Sequence, residues 1–309
     1  MVITDPSAIS HAGSNGKSAS RVPAGSDEQI TTQQHSTRII ALMNQKGGVG
    51  KTTTTVNLGA ALAKAGHQVL MIDLDPQAHL TLHLGITPDQ LELTIYHLLT
   101  DDAISASQVV QKIDDNLMVL PAEVSLAGIE AELAPQMVTG KAQRLLKQKC
   151  QPLLVSPKSF DYVLIDCPPS LGLLTINALT LAREIIVPMQ THFLALQGLS
   201  KLLETISLIE QSFNPDLSVT GIVLCMHEGQ TLLASEVIAD LTHFLEAARD
   251  TNTPWRGAKV LQPPVRRNIK LAESPSFGQT IFDYAPDCHG AKDYRQLATA
   301  LATQPAYQG

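Results

Sequence analysis

The residues best suited to chemistry lie at positions 38–55, in the string RIIALMNQKGGVGKTTTT. A β-branched apolar run passes here into a loop with three glycines, Gly47, Gly48 and Gly50, followed by Lys51 and several threonines. Glycines let the backbone turn so that successive N–H groups point at phosphate oxygens, and the positive end of a following helix adds to that attraction. The pattern predicts a strand, a phosphate-binding loop and a helix start, and hence a nucleotide site.

Each residue of this loop has an expected contact with a bound nucleotide. Lys51 is expected to reach the β and γ phosphates. Thr52 lies at the start of the predicted helix, and its hydroxyl is expected to bind Mg²⁺. Backbone groups on both sides of these two residues complete the site. The predicted nucleotide-binding residues are Lys46, Gly47, Gly48, Val49, Gly50, Lys51, Thr52 and Thr53.

Two further strands end in aspartates that belong to the same predicted site. Asp73 and Asp75 lie in the string HQVLMIDLDPQAHLT, and Asp166 follows four apolar residues in FDYVLIDCPPS. An acidic side chain at the carboxyl end of a parallel strand faces the ligand crevice of such a sheet. Asp166 is therefore the second predicted Mg²⁺ residue, acting through water, whereas Asp73 is interpreted as a hydrogen-bonded structural carboxylate.

The spacing within the glycine loop departs from the ordinary phosphate loop. The consensus glycine five residues before Gly50 is Gln45 here, and a second lysine, Lys46, follows it. With this deviant Walker A pattern the chain resembles the ParA/MinD family of P-loop ATPases, and specifically the ParA branch that segregates chromosomes and plasmids. The resemblance covers residues 37 to about 303. A glycine-rich turn with solvated lysines is the alternative interpretation.

The resemblance implies catalytic roles for three side chains. In the family, the lysine that matches Lys46 crosses a nucleotide-sandwich homodimer and touches the phosphates bound by the partner subunit. The aspartate that matches Asp75 positions or activates the attacking water, and Lys51 contacts the phosphates. ATP rather than GTP is implied as the nucleotide, together with Mg²⁺. The expected catalytic residues are Lys46, Lys51 and Asp75.

The C-terminal part contains the string PPVRRNIKLAESPSFGQTIFDYAP, which is closely similar to a segment of chromosomal ParA proteins. In the family its start borders the adenine and its basic residues face DNA, which implies DNA contacts by Arg266, Arg267 and Lys270. Residues 256–295 hold seven Lys or Arg and four acids, a local excess of three positive charges. Arg267 and Lys270, three apart on a helix-like segment, are expected to point to one side. A solvated basic face is the alternative.

One position departs from the family pattern. Where ParA proteins have an arginine among their DNA contacts, this chain has Gln230, in the string CMHEGQTLLAS. Affinity built on phosphate neutralisation falls with each lost cation. A relative that positions some other cargo is therefore a second interpretation.

Composition agrees with one globular ATPase domain. The chain has 309 residues, of which 44% are hydrophobic, as is typical of a globular core. Its formal net charge of −7 argues against a protein whose whole surface is covered by nucleic acid. The four cysteines show no CxxC spacing, so they indicate reduced thiols of a cytoplasmic protein rather than a metal site or an iron–sulfur cluster. These cysteines are Cys150, Cys167, Cys225 and Cys288.

Residues 1–36 are rich in Ser, Thr, Gly and Gln and have few apolar residues, so a disordered tail is expected there. Residues 37–309 are expected to form the ATPase domain. No stretch approaches the ~20 apolar residues of a membrane span. The terminal helix lacks the basic and bulky apolar faces of a membrane-surface anchor, so no membrane partner is expected.

From residue 38 onward, apolar runs of strand length alternate with helical patterns. This alternation is typical of a doubly wound α/β fold with a mostly parallel sheet and helices on both faces. Strands are predicted at 38–44, 68–74, 116–121, 161–166, 184–189, 218–226 and 258–262. Helices are predicted at about 51–65, 123–133, 139–150, 173–182, 196–212, 231–248 and 291–303.

Together these features predict a cytoplasmic, Mg²⁺-dependent ATPase with slow hydrolysis that forms a homodimer with ATP. By resemblance, a ParB-type partner stimulates hydrolysis, and the dimer binds DNA without sequence preference, associates with the nucleoid and drives chromosome or plasmid segregation. A second hypothesis is a positioning factor for a protein cargo, such as a chemoreceptor cluster or microcompartment, without strong DNA binding. A third, an unrelated metabolic P-loop enzyme, is disfavoured by Lys46.

Overall fold

The first strand and the first helix flank the glycine loop. The computed structural model describes residues 37–155, 160–192, 195–229 and 232–304. The β-branched run at Arg38–Leu42 forms β1, and the Thr- and Ala-rich run at Lys51–Lys64 forms α1. The expected tail at 1–36 and the departure at Gln230 lie outside the described residues.

Eight strands form one sheet. They are β1 (Arg38–Leu42), β2 (Val69–Asp73), β3 (Gln111–Asp114), β4 (Leu117–Leu120), β5 (Tyr162–Asp166), β6 (Glu184–Met189), β7 (Ser218–Leu224) and β8 (Lys259–Leu261). Their order across the sheet is β3-β4-β2-β5-β1-β6-β7-β8. All neighbours are parallel except β3, which pairs antiparallel with β4 at one edge. Parallel strands covered on both faces have near-continuous apolar sequences, as β2, β5 and β6 do.

Within the described residues, thirteen α-helices and four 3₁₀ turns lie between the strands or after the last strand, β8. The helices are α1 (Lys51–Lys64), α2 (His79–His83), α3 (Ile95–Thr100), α4 (Ala106–Val109), α5 (Ile129–Glu132), α6 (Ala134–Met137), α7 (Leu145–Leu154), α8 (Leu173–Leu181), α9 (Ala195–Ser212), α10 (Leu232–Ala247), α11 (Ile269–Glu273), α12 (Ile281–Tyr284) and α13 (His289–Thr303). The 3₁₀ turns are Pro88–Gln90, Val124–Gly128, Ala142–Arg144 and Ser274–Phe277.

The predicted doubly wound architecture is confirmed, and all seven predicted strands are present. The antiparallel edge strand β3 was not predicted, because its four residues alternate between half-buried and exposed and offer no apolar run. The continuous helix predicted at 123–133 is wrong, since a 3₁₀ turn at Val124–Gly128 precedes the short α5. The helix predicted to end at residue 150 extends to Leu154, with Pro152 inside its last turn.

Two apolar cores lie on opposite faces of the sheet. On one face, α1 and α13 contribute Leu58, Leu62 and Leu297 to a cluster with β1 and β2 side chains. On the other face, α8, α9 and α10 contribute their buried leucines and isoleucines. Three of the four cysteines are buried, and all four are free thiols. Helices on both faces leave the strand ends as the accessible edges of the sheet.

The position of β1 at the centre of the sheet determines where the functional residues meet. β1 pairs with β5 on one side and β6 on the other. In the parallel register, Leu42 at the end of β1 lies opposite Asp166, and Asp73 at the end of β2 also lies opposite Asp166. The glycine loop and the two strand-end aspartates therefore share the carboxyl edge of the sheet.

Candidate functional site

The glycine loop turns at positions that require glycine. Gly48 and Gly50 have φ angles of 70° and 94°, a region that residues with a Cβ rarely adopt. A Cβ on Gly50 would also lie 3.3 Å from the Cβ of Cys225. The C=O of Gly50 accepts the N–H of Thr54 at 2.9 Å, so α1 starts directly from the loop. The helix N-terminus is thus placed where an anion would be bound.

The two lysines of the loop differ in exposure. Lys51 is 7% exposed, and its Nζ donates to the C=O of Lys46 at 3.3 Å. The Lys46 side chain is exposed, whereas its backbone N–H donates to Oδ1 of Asn44 at 3.0 Å. The structure therefore holds the ammonium of Lys51 at the loop and presents Lys46 at the surface from a fixed backbone.

The two predicted Mg²⁺ residues, Thr52 and Asp166, lie in direct contact. The Thr52 hydroxyl donates to Oδ2 of Asp166 at 2.6 Å, and Oγ1 of Thr55 lies 3.2 Å from Oδ1. Burial, together with the neighbouring charge of Asp73, raises the pKa of the Asp166 carboxyl to about 8. A bound cation would offset this cost of burial, and hydroxyl and carboxylate oxygens are ligands that Mg²⁺ prefers. These residues therefore fit a magnesium ion.

Asp75 lies just beyond β2 at the same edge. The N–H of Leu74 donates to the C=O of Asp166 at 3.1 Å, which ties the loop after β2 to the end of β5. Oδ1 of Asp75 accepts the N–H of Gln77 at 3.0 Å. The half-buried Asp75 lines the same cavity as Lys51. Two of the three predicted catalytic residues are thus brought to one cavity, and the third, Lys46, is at the surface beside it.

Two neighbouring cavities open at this edge of the sheet. The first, of about 660 Å³, is lined by the glycine loop, Asp75 and α2. The second, of about 540 Å³, lies between the glycine loop and the segment around residues 265–272, with Cys225 and Tyr294 in its wall. The residues that line both are Gly50, Thr53 and Met226. Because they share these residues, the two cavities can hold different parts of one ligand.

Sequence reasoning missed Gln190, the first residue after β6. Its side-chain amide donates to the C=O of Gly48 at 3.0 Å and lies 3.0 Å from Sδ of Met226. Nε2 of His192 lies 2.7 Å from the amide oxygen of Gln190. Gln190 therefore holds the glycine loop against the end of β7. The strand-end pattern that identified Asp75 applies to Gln190 as well, since it follows a buried parallel strand.

Arg266, one of the three predicted DNA contacts, has a structural partner. Its backbone N–H and its Nε each donate to Oδ2 of Asp293 at 3.1 Å, and its NH2 donates to Oδ1. Asp293, in α13, is 2% exposed. The guanidinium thus neutralises a buried carboxylate, and this geometry argues against the predicted DNA contact of Arg266.

Arg267 and Lys270 are at the surface, but not in the predicted arrangement. α11 begins after Asn268, whose side chain caps it by accepting the N–H of Lys270 at 2.9 Å. Arg267 precedes the helix, so the predicted helix-like segment contains Lys270 but not Arg267. Arg267 donates to Glu228 and Lys270 donates to Glu273, each at 2.8 Å.

Known proteins identify the family. A family model described as an AAA domain matches residues 37–219. The sporulation initiation inhibitor protein Soj of Bacillus subtilis is 42% identical over 265 residues, which cover 86% of this chain and 98% of that protein. This chain belongs to the ParA/Soj family of P-loop ATPases. The chromosome partitioning protein ParA of Caulobacter vibrioides is 39% identical over 268 residues, which cover 86% of this chain and 94% of that protein.

Solved structures share the fold. A Mycobacterium smegmatis protein described as cobyrinic acid a,c-diamide synthase, with bound ADP and magnesium, has a TM-score of 0.70 and 37% identity, and 86% of this chain and 94% of that chain are covered. The same protein also has a structure with an ATP analogue and magnesium. Those ligands agree with the predicted ATP and Mg²⁺. In the part of the chain that the structure describes, no helix has both the length and the apolarity to cross a bilayer.

Proposed function

We propose that this chain is a Mg²⁺-dependent ATPase whose ATP-bound homodimer acts in chromosome or plasmid segregation. The observation that carries the proposal is the contact between Thr52 and Asp166 beside the glycine loop, with Asp75 on the same cavity. A hydroxyl, a buried carboxylate and backbone N–H groups at a helix N-terminus together suit a nucleoside triphosphate and its metal. The similarity to the Caulobacter partitioning protein supports the cellular process.

ATP binds with its phosphates against residues 46–53 and its adenine in the second cavity, beside residues 265–272. Lys51 donates to the β and γ phosphates in place of its contact with the C=O of Lys46. Thr52 and Asp166 hold Mg²⁺, which neutralises part of the phosphate charge when it is bound. The volumes of the two cavities and their shared wall support this placement.

Asp75 orients the attacking water in this proposal. Phosphoryl transfer depends mainly on positioning and on charge neutralisation, so one well-placed carboxylate is sufficient. The hydrogen bond from Leu74 to the C=O of Asp166 connects the loop that carries Asp75 to the strand that carries the metal residue. The loop that carries Asp75 is therefore held beside the strand end that carries Asp166.

Lys46 acts in the site of the second subunit. Its backbone is held by Asn44 while its side chain is exposed, so the ammonium projects from a defined point beside the nucleotide cavity. A two-fold symmetric dimer brings each Lys46 to the phosphates of the other subunit. ATP then stabilises the dimer because it is contacted from both sides.

Non-specific DNA binding by the ATP-bound dimer rests on Arg267 and Lys270. Their partners are exposed or half-buried acids, and exposed ion pairs contribute only about 0–1 kcal/mol, so phosphates can replace them. Dimerisation doubles this surface, and each phosphate contact adds about 0.9 to the slope of log affinity against log salt. A ParB-type partner stimulates hydrolysis, and the protein works in the cytoplasm on the nucleoid.

A second candidate function is the positioning of a protein cargo without strong DNA binding. The favouring observation is that Arg266, Arg267 and Lys270 are each already paired with an acid. Such pairing lowers the positive charge that the surface offers to phosphates. Both candidate functions use the same ATPase cycle and differ only in what the dimer binds.

The Asp75→Ala variant tests the proposed ATPase site. We expect it to bind ATP with native affinity, to slow phosphate release by roughly 10²-fold because the water is no longer oriented, and to accumulate as a dimer. Calorimetry, a phosphate-release assay and size-exclusion light scattering measure these three quantities. Lys46→Ala is the contrasting variant, because it should bind ATP and remain monomeric. Native turnover by Asp75→Ala would show that the water is held elsewhere.

A further inference from the structure

Asp73 is a fully buried carboxylate that the proposed ATPase mechanism does not use. Its Oδ1 accepts the N–H of Asp75 at 3.1 Å. Its Oδ2 accepts both the N–H of Thr81 at 2.9 Å and the hydroxyl of Thr81 at 2.7 Å. The same carboxylate therefore binds Asp75, the second residue of the loop after β2, and Thr81 in the middle of α2, which follows that loop.

The Thr81 hydroxyl extends this contact to a third element. Because it donates to Asp73, it presents a lone pair to the N–H of Ala122, which donates to it at 2.9 Å. Ala122 follows the end of β4. Thr81 is fully buried, so water cannot replace these hydrogen bonds. The hydroxyl thus joins α2 to the ends of β2 and β4 in one orientation.

The segment between these anchors is the loop that carries Asp75. It closes through a hydrogen bond from the N–H of Ala78 to the C=O of Asp75 at 2.8 Å, and Ala78 has a φ of 51°. A non-glycine residue at positive φ is unfavourable by roughly 1–2 kcal/mol, so the surrounding contacts hold the loop in this shape. The anchors at both ends of the loop are on Asp73.

We propose that Asp73 and Thr81 are positioning residues that fix the carboxylate of Asp75 for ATP hydrolysis. Asp73 suits this role because a carboxylate offers acceptor oxygens on both sides, whereas an asparagine would turn an NH₂ group toward either the N–H of Asp75 or the donors of Thr81. This inference rests on the proposed role of Asp75. Neither residue touches ATP in the proposal, so their effect is on turnover rather than on binding.

Thr81→Val is the sharpest test, because it removes the hydroxyl, keeps the shape of the side chain and leaves the charge beside Asp166 unchanged. We expect kcat for ATP hydrolysis to fall by about tenfold or more while ATP affinity stays within about twofold. Thr81→Ser keeps the hydroxyl and should restore kcat. The matched control is Thr180→Val, which removes a buried hydroxyl bonded to Ile176 within α8, away from the site.

Hydrogen exchange gives a readout that does not depend on activity. Amides of the segment 75–81 should exchange faster in Thr81→Val than in the native protein, and Thr180→Val should leave them unchanged. If Thr81→Val does not fold, Thr81→Ala, whose smaller side chain adds no methyl beside Asp73, is measured in its place and compared with Thr81→Ser in the same way.

The outcomes separate this inference from the proposed function. If Asp75→Ala is slow but Thr81→Val hydrolyses ATP at the native rate with native exchange, the positioning role is overturned and the role of Asp75 stands. If Thr81→Ser is as slow as Thr81→Val, the hydroxyl is not the cause and the inference also fails. If Asp75→Ala itself turns over normally, the proposed role of Asp75 fails, and the inference fails with it.

Discussion

The glycine-loop edge and the basic segment at 265–273 line the same cavity, but they hold their charges differently. At the glycine-loop edge, Lys51 and Asp166 are buried, and their positions follow from a helix start and a strand register. In the basic segment, Arg267 and Lys270 are exposed and each contacts an acid on a surface loop or on its own helix. Buried strand ends therefore define a site more strictly than a count of surface charges does.

The largest expected effect is at the glycine-loop edge. Lys51→Ala should weaken ATP binding by about ten- to hundredfold, because it removes a charge-assisted hydrogen bond worth roughly 1.5–3 kcal/mol in a buried site. The matched control is Lys64→Ala at the other end of α1, where the lysine pairs with Asp283 at the surface. Calorimetric titration with ATP compares the two. Equal ATP affinities of the two variants would contradict the assignment of Lys51 to the phosphate site.

A second pair of variants compares two neighbouring arginines of the basic segment, Arg266 and Arg267. Arg266→Ala should lower the free energy of unfolding by about 2 kcal/mol, because it leaves the buried Asp293 unpaired, although the half-exposed position of Arg266 lets water reduce the cost. Arg267→Ala should change stability by less than about 0.5 kcal/mol, since its pair with Glu228 is exposed. Denaturant unfolding measures both effects.

The same two variants sharpen the DNA hypothesis. With ATP and random-sequence duplex at low salt, Arg267→Ala should lower the salt slope of the dimer by about 2, one phosphate contact from each subunit. Arg266→Ala should leave the slope unchanged, because its guanidinium is occupied by Asp293. Fluorescence anisotropy at several salt concentrations decides. Absence of any affinity in the native ATP-bound dimer would favour the cargo-positioning function.

His83 lines the glycine-loop cavity, and its Nε2 is 3.4 Å from the hydroxyl of Ser274, the residue that follows the basic segment. Burial lowers the pKa of His83 from 6.5 to about 4, against an opposing backbone contact with Gln279. His83 is therefore protonated near pH 6.5 in the unfolded chain but only near pH 4 in the folded protein. The free energy of unfolding should fall through this window, by about 2 kcal/mol at about pH 5.

His83→Gln should remove this part of the pH dependence. Urea unfolding at about pH 7 and about pH 5 compares it with the native protein. His79→Gln, at an exposed position of the same helix, is the control and should retain the native dependence. If the free energy of unfolding of His83→Gln falls on acidification as much as that of the native protein, another group is responsible for the pH dependence.

The smallest expected effect is within the glycine loop. Gly50→Ala should lower the stability of the nucleotide-free protein by about 1 kcal/mol, because its φ is 94° and the new Cβ would meet Cys225. Gly47→Ala has open space and no positive φ, so its stability should stay within about 0.5 kcal/mol of native. Thermal unfolding without nucleotide measures both. Equal destabilisation would mean that the two glycines are constrained alike.

Much of the sheet edge could be predicted because it depends on local rules. A buried apolar run indicates a strand, and parallel strands bring their carboxyl ends together, so Thr52 and Asp166 could be expected to meet although 114 residues separate them. Gln190 obeys the same rule and could have been found. The roles of the site residues in catalysis stay predictions.

The surface and the short elements could not be predicted in the same way. The partners of Arg266 and Arg267 are 27 and 39 residues away in sequence, and no periodicity connects them. β3 has four residues of alternating exposure, and α2 has only five residues, too few for a helical period to be visible. The role of Asp73 as an anchor depends on Thr81, eight residues later, and needs the folded loop to be seen.

The central position of β1 has a consequence for biosynthesis. β1 is the first of the described strands to leave the ribosome, yet its two neighbours in the sheet begin only at Tyr162 and Glu184. At about 5–20 residues per second, the emerging glycine loop waits on the order of ten seconds for Asp166. A nascent chain therefore carries an apolar strand without neighbours during that interval, and its nucleotide site becomes complete only after more than half of the polypeptide has been translated.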